Sequence, residues 1–584
     1  MRVTFDIETN DIHDWLNLSD MKTILCFVVQ VDDQEPQSLN PKDAIKVLMQ
    51  ADTIVGHNIL GFDIPAIQRL YPEFKPAQAS ICDTLVLARL FHPDQREKDF
   101  GLPEMPKELV GSHSLKAWGY RLGISKAEAP AFDRVTDDLI EYCKQDVRVT
   151  NTLYKHLMNN KAWVGAEDAR ALERDFAIVI KQQERYGFPF NVEAAQTLHS
   201  TLRGRLLELE AKMQQVFPPK VIPRVSEKTG KPLKSKTEIF NPGSRVQIAE
   251  RLKERYKWEP KEFTPDGRPR VDESVLASLD YPEAAVLAEY LNTVKRLGQL
   301  ADGDEAWMKV VGSDGRIHGR VNTNGAITGR CTHSRPNMAQ VPAEPAYRSL
   351  FYAGAGRKMV GADASGLELR CLAHFLGKFD KGVYAKQILE GDIHWANSKA
   401  FGLTTDTFDA SNPEHKKIRN QAKGAIYALI YGAGDEKLGF VLGGDKKRGR
   451  KARDNFIARV PAYGLLRDYV ASSLASKCYL RGLDGRPLMP RSEHAALNTL
   501  LQSAGAVVMK RACVIAHSEF AYNRLDVHQV ASIHDEYQFS SHPDCAEMVG
   551  KIVVQAITQA GEDFKFRCRL DGEYRVGDNW AETH

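Results

Sequence analysis

The sequence predicts a multidomain α/β protein, on three observations. At 584 residues the chain is too long for one hydrophobic core, and roughly three to five compact units are expected. Short apolar strands alternate with helical stretches through about the first 160 residues. Beyond Arg316 strands return, a helix-rich block follows at about 376–497, and a second α/β portion closes the chain.

In order along the chain, VTFDI, ILCFVVQV and DTIVGHN read as strands. In the first, a period of two sets Val3, Phe5 and Ile7 on one face and Asp6 with Glu8 on the other. A long helix is expected from Ala166 through Gln183, stopped at Tyr186-Gly187-Phe188-Pro189. Residues 195–305 look mainly helical, broken by a Pro- and Lys-rich stretch at 217–237. The apolar run Met359–Ala362 is a strand ending at Asp363, and Ser365-Gly366 turns the chain into a helix at Leu367. A further helix is capped by Asn412, carries Pro413 at its first position and is closed by Gly432-Ala433-Gly434. VASIHDEYQF reads as strand, turn, strand.

The composition is that of an ordinary globular protein, 43% hydrophobic and 27% charged. A net charge of +3 gives no signal for nucleic acid by itself, but two local runs do. Residues 211–240 carry seven cations (Lys212, Lys220, Arg224, Lys228, Lys231, Lys234, Lys236) against Glu227 and Glu238, and DKKRGRKAR at 445–453 carries six against Asp445. Either could follow a phosphate backbone or form a solvated face. Nine cysteines without a Cys-x-x-Cys pair exclude a zinc ribbon and a disulfide framework and suit a reducing compartment. No apolar run approaches the ~18 residues of a membrane span, and the N-terminus has no signal-peptide core, so no membrane partner is expected.

Two sets of residues carry chemistry. In the N-terminal part, Asp6 and Glu8 can share a metal ion. Such pairs are also common on solvated faces, but two further signals accompany this one. His57-Asn58-x-x-Gly61-Phe62-Asp63 puts an acid just after a turn, and Tyr142-x-x-x-Asp146 puts a phenol and a carboxylate one helical turn apart. This order of four acids and a tyrosine resembles the DEDDy 3′–5′ exonucleases. The resemblance implies Asp6, Glu8, Asp63 and Asp146 as ligands of two metals and Tyr142 as the group that orients the attacking water.

In the C-terminal part, Asp363 and His534-Asp535-Glu536 supply acids far apart in sequence. Between them Arg419, Lys423, Tyr427 and Tyr431 recur every four residues on one helix, beside an apolar stripe of Ile418, Ala422, Ala425 and Leu429. A buried lysine would be costly, so the polar stripe should face solvent or a ligand. Acids for two divalent cations plus fixed positive charge for a polyphosphate describe nucleotidyl transfer.

Together these motifs resemble the family A, polymerase I-like, DNA polymerases, and in particular their phage replicative members. The resemblance runs through GSHSLKAWGYRLG, IHGRVNTNGAITGR, DASGLELRCLAHF, GDIHW, YGAGDEKLG and HAALNTLLQSAGA to Asn579-Trp580-Ala581 and His584. It implies an RNase H-like exonuclease domain at 1–165 and a right-hand polymerase at 166–584. The thumb would span about 195–305, the palm about 306–375 and 498–584, and the fingers about 376–497. It implies two Mg²⁺ per active site, held in the polymerase by Asp363, Asp535 and the carbonyl of Ala364, with Glu536 beside them. Arg419, Lys423 and His394 would hold the triphosphate. Tyr427 and Glu368 would lie at the sugar, and Tyr431, Arg330, Gln502 and His534 would contact DNA.

The expected partners are primer–template DNA and dNTPs, with a replicative helicase-primase and a single-strand-binding protein. The expected location is the cytoplasm of an infected bacterium. No 5′-nuclease domain is expected, since the chain opens at the exonuclease strand. Phage members carry a long thumb insertion that captures host thioredoxin; here only the short basic segment around 218–238 stands in its place, so a thioredoxin clamp is not expected. A single-subunit RNA polymerase shares the palm chemistry, but Glu368 and the exonuclease motifs oppose it. A non-catalytic DNA-binding descendant would have lost the carboxylates first, and all those expected are present.

Overall fold

Strand β1 (Arg2–Thr9) buries Val3, Phe5 and Ile7 completely or nearly so, while Asp6 and Glu8 stay half-buried on its other face. The alternation read from the sequence is thus the one the strand adopts. This computed structural model describes residues 1–584 apart from 11, 13–15, 17, 125–133, 226, 227 and 261. β1 is the centre of a five-stranded sheet with β2 (Ile24–Val31), β3 (Gln37–Ser38), β4 (Thr53–Gly56) and β5 (Ile81–Asp83), ordered β3-β2-β1-β4-β5. β2 is antiparallel to β1, whereas β4 and β5 run parallel to it. Helices α1 (Asp63–Leu70) and α2 (Asp137–Met158) follow, and α2 lies against β1 and β2.

The described chain divides into two compact units, where three to five were expected. One comprises 1–187, 319–340 and 353–584; the other comprises 188–318 and 341–352. Helix α3 (Glu167–Tyr186) gives the physical reason within the first unit. It ends where the sequence predicted, at Gly187 with φ 71°. Its Ala177 belongs to the core under the N-terminal sheet, while Phe176, Val179 and Ile180 belong to the core under the C-terminal sheet. Glu173 on the same helix is fully buried and accepts from Arg486 (2.7 Å), Lys510 (2.7 and 2.9 Å) and Asn324 (2.8 Å). A buried charge set of this kind persists only when each member is paired. It ties α3 to three segments that are remote in sequence.

The C-terminal sheet is antiparallel throughout, β7-β8-β6-β9, from β6 (Lys358–Ala364), β7 (Val527–Ile533), β8 (Glu536–Ser541) and β9 (Gly572–Gly577). After β6 the backbone turns at Gly366, φ 58°, a conformation glycine adopts without a Cβ penalty, and α4 (Leu367–Asp380) begins. The helix-rich block contains α5 (Ile393–Ala400), α6 (Pro413–Ile430) and the 30-residue α7 (Glu493–Tyr522). By length and apolarity α7 could cross a membrane, which the sequence reading did not anticipate; 78% of its apolar window is buried inside the protein, as in a core helix.

The second unit packs helices Val192–Val216, Arg245–Tyr256 and Pro282–Leu297 around Leu209, Met213, Leu252 and Leu287. Here the Pro- and Lys-rich interruption is a solvent-exposed hairpin, Lys220–Val225 with Pro232–Glu238. Its register shifts between Ile222 and Arg224, at Pro223, which has no N–H to give the ladder. Glu227 of that stretch lies outside the described residues. The second basic run, 445–453, opens a helix, Lys446–Arg459, capped by Asp445.

Candidate active sites

The C-terminal site is built at one end of the antiparallel sheet. In register, Asp363 of β6 stands between Glu536 of β8 and Glu573 of β9. Asp535 occupies the turn between β7 and β8, after His534 at φ 57°. That left-handed conformation costs a non-glycine residue ~1–2 kcal/mol, and it places Asp535 so that its carbonyl accepts the Ala364 N–H at 3.1 Å. The protein strips water from one side of the Asp363 carboxylate although its tip stays exposed. That desolvation, then the charges of Asp535, Glu536 and Glu573, push its carboxyl up to about 7. Asp535 is also raised, first by burial. Acids crowded in this way are costly without a positive partner.

Glu536 is the exception. It is buried and accepts from Trp580 Nε1 (2.5 Å) and Gln538 Nε2 (2.7 Å), and its second oxygen meets His584 Nδ1 at 2.8 Å. The carboxylate is engaged by the end of the chain.

Helix α6 carries the basic stripe. Asn412 caps it by accepting the Glu414 N–H, Pro413 opens it, and Gly432 at φ 74° follows its end, as read from the sequence. Ala422, Ala425 and Leu429 are buried, while Lys423 is exposed and Arg419 half-buried. Arg419 Nε donates to Asp392 at 2.5 Å, and Asp392 also caps α5 through the N–H groups of His394 and Trp395. Burial works to raise the Asp392 carboxyl, but the Arg419 bond and the capping N–H groups outweigh it and hold it low. His394 is kept neutral more readily than usual, by burial first and then by Arg419 and Lys423 beside it.

One turn along, the Tyr427 phenol is raised by burial and by the negative field of Glu368 and Asp535. Tyr431 donates to Glu368 at 2.6 Å, and Arg330 reaches the same Glu368 oxygen at 3.3 Å. The structure therefore brings Asp363, Asp535, Glu368, Arg330, Tyr427 and Tyr431 into one neighbourhood, with His394, Arg419 and Lys423 adjoining. Gln502 is half-buried on α7 and, among the described residues, makes no side-chain hydrogen bond.

The N-terminal site is drier. Asp63 opens α1 and is 4% exposed; its carboxylate accepts the Ile7 N–H at 3.3 Å, which brings it to β1 between Asp6 and Glu8. Burial, then nearby Asp83, raise its carboxyl to about 7 against two backbone N–H groups that lower it. Tyr142 and Asp146 are buried on α2, the helix that packs on β1. Oxygens of Asp6 and Glu8 lie within 4.8 Å of each other and of the Cys143 sulfur.

Several participants were missed by the sequence reading. Asp83 accepts the N–H groups of Asn58, Leu60 and Leu85 and so fixes the turn that carries Asp63; its place before Thr84 was a legible capping signal. Asp392 stood in a quoted motif and was passed over. Cys143, Glu573 and Glu173 had no local signal at all.

Comparison with known proteins adds to this geometry. Residues 220–582 match the family model for DNA polymerase family A. The chain is 34% identical to the DNA-directed DNA polymerase of Enterobacteria phage T3, over 99% of both chains. It is likewise 34% identical to that of Escherichia phage T7, over 91% of this chain and 92% of that one. Among solved structures, the POL domain of Pol1 from M. smegmatis, in complex with DNA primer-template and dNTP, has a TM-score of 0.77 at 17% identity, covering 99% of this chain and 96% of that one.

Proposed function

The chain belongs to DNA polymerase family A, and from that premise we propose that it is a phage replicative DNA-directed DNA polymerase with a 3′–5′ proofreading exonuclease. The observation that carries the polymerase reading is the convergence of Asp363, Asp535, Glu368, Tyr427 and Tyr431 at one end of a sheet. Its substrates are primer–template DNA and deoxynucleoside triphosphates, and its setting is the cytoplasm of an infected bacterium.

The donor set suits Mg²⁺. Asp363 and Asp535 offer hard carboxylate oxygens at the accessible end of the sheet, beside Ala364, and the burial and mutual repulsion that raise their carboxyls are what a bound cation would relieve. Two Mg²⁺ bound there would activate the primer 3′-OH and neutralise the departing pyrophosphate. The chain's own groups do the rest. Arg419, anchored on Asp392, presents its guanidinium to the β and γ phosphates, Lys423 adds an exposed ammonium, and His394 adds a ring N–H. Glu368, held by Tyr431 and Arg330, fills the space a ribose 2′-OH would need. The Tyr427 phenol lies in the field of that carboxylate and of Asp535, and there it would serve the sugar's 3′ side. Glu536, engaged by Trp580 and His584, holds the last residues against β8 beside the metal-binding acids.

The five-stranded mixed sheet with Asp6, Glu8 and Asp63 at its central strand supports the exonuclease reading. There Tyr142 would orient the attacking water, with Asp146 completing the acids. Helicase-primase and single-strand-binding protein are partners consistent with a replicative role.

The test is a primed template with a labelled 5′ end. Mg²⁺ and dNTPs should lengthen the primer, and withholding dNTPs should shorten it from the 3′ end. A primer that neither grows nor shrinks sinks the whole reading; one that grows but never shrinks sinks only the exonuclease.

A further inference from the structure

The acids of the N-terminal site have a neighbour of different chemistry. Cys143 faces β1 from α2 as part of a small apolar cluster with Cys26, Val28, Leu139 and Val147, and it is fully buried. Its sulfur nevertheless lies 3.5 Å from the Asp6 carbonyl and 3.5 Å from Asp6 Oδ2. Ligand atoms of Asp6, Glu8 and Cys143 all fall within 4.8 Å of one another. A tetrahedral cation with a metal–sulfur bond of about 2.3 Å and a metal–oxygen bond of about 2.1 Å separates its S and O ligands by ~3.6 Å. The Cys143 S–H now donates to Asp6 across this gap, and a cation taking the proton's place would find the sulfur and the carboxylate at ligand spacing.

We propose that Cys143 is a metal ligand with Asp6 and Glu8, so that this site takes a thiophilic divalent cation, Zn²⁺ in the cell, in preference to Mg²⁺. Mg²⁺ is a hard ion with near-octahedral oxygen coordination, and a thiolate contributes little to it. Zn²⁺ accepts mixed sulfur and oxygen ligands, and three protein ligands leave its fourth position open. On binding, the metal–sulfur bond replaces the S–H bond and the thiol proton leaves to the buffer. Among the described residues, no cysteine joins Asp363 and Asp535 in a metal-ligand cluster of this kind. The two sites of one chain thus differ in cation preference. This deepens the exonuclease reading for what the cation does, but its binding stands on the Asp6, Glu8 and Cys143 geometry alone.

Cd²⁺ is the probe, because a cadmium–thiolate bond gives an ultraviolet charge-transfer band that all-oxygen sites lack. Titration of the full chain should produce a band that saturates at one equivalent and persists in a large excess of Mg²⁺. Cys143→Ser should remove it and Cys26→Ser should keep it. Asp6→Asn should weaken Cd²⁺ binding by about 10–100-fold, the scale on which metal sites answer to lost partners. No band in the unmodified chain overturns the proposal, whatever the variants do. So does a band that survives Cys143→Ser, or an affinity indifferent to Asp6→Asn, since the thiols would then bind without the carboxylates. A chain that degrades 3′ ends in Mg²⁺ yet shows no band refutes this inference and leaves the exonuclease reading intact. A chain with the band and no degradation does the reverse.

Discussion

The two carboxylate sites reach a similar electrostatic state from different surroundings. Asp63, 4% exposed, has its carboxyl raised to about 7 by burial and one further acid, Asp83, against backbone N–H groups. Asp363 reaches about 7 with its tip exposed, through partial desolvation and three neighbouring acids. In the first site packing buries Asp63 and Asp146 while Asp6 and Glu8 stay half-buried, and the acids are held by α1, α2 and β1. In the second the acids sit at the accessible end of the sheet, and the cations that offset Asp535 are the side chains of His534 and Arg330. The difference suits the proposed tasks: a strand end must be gripped to be cut, whereas a triphosphate must enter, react and leave at each cycle.

The largest expected effect separates the sites. Asp535→Ala should cut primer extension by at least about 10³-fold, a loss of ~4 kcal/mol of transition-state stabilisation, and leave 3′ degradation intact. Asp6→Ala should do the opposite. If either variant lost both activities while its circular dichroism stayed native, two independent sites would be untenable.

Next in size is Tyr427→Phe. If the phenol supplies the hydrogen bond that a dideoxynucleotide's missing 3′-OH cannot make, its removal should raise discrimination against dideoxynucleotides by roughly 10²-fold, about 3 kcal/mol for a bond to a charged group. Normal dNTP incorporation should change little. Equal use of dideoxynucleotides by both enzymes in a competition assay would reassign Tyr427.

The third prediction concerns pH in a chelator. Asp63 keeps its proton to about 7 in the folded chain but only to its ordinary 3.8 when unfolded. A raised carboxyl contributes stability that is complete below pH 3.8 and lost as pH rises through 7. The difference between 3.8 and about 7 is worth on the order of 4 kcal/mol. Asp63→Asn keeps an oxygen for the Ile7 N–H and removes this loss, so with EDTA present it should be the more stable protein at pH 8 and keep only a minor part of that advantage near pH 5. Parallel denaturation midpoints at the two pH values would show that burial of Asp63 does not set the slope.

The smallest effect is expected at Asp392→Asn. The Arg419–Asp392 pair is partly exposed, side chains 33% and 27% accessible, so its loss should cost ~0.5–1 kcal/mol. That is a two- to five-fold rise in KM for dNTP with kcat nearly unchanged, as expected of a residue that positions Arg419. A fall in kcat alone would give Asp392 a different role.

Local rules made much of this molecule legible from its residues. Period-two burial in β1, the Asn412–Pro413 start and Gly432 stop of α6, the Gly366 turn and the Gly187 stop of α3 were all readable, because each depends on neighbours within a few residues. The hairpin at 220–238 was not, because its strands carry no apolar alternation toward a core. Nor was the count of compact units, which depends on which faces of α3 are buried against which sheet.

The sequence by itself determined the acids of both sites, the basic stripe of α6 and, through the motifs that carry them, the family. Only the tertiary structure decided who stands beside those groups. Cys143 meets Asp6 across 137 positions, Lys510 meets Glu173 across 337, and Trp580 meets Glu536 across 44. Side-chain type and spacing fix what a residue can do within its own strand or helix. The dielectric, the partners and hence the charge it carries are set by elements that packing brings from elsewhere.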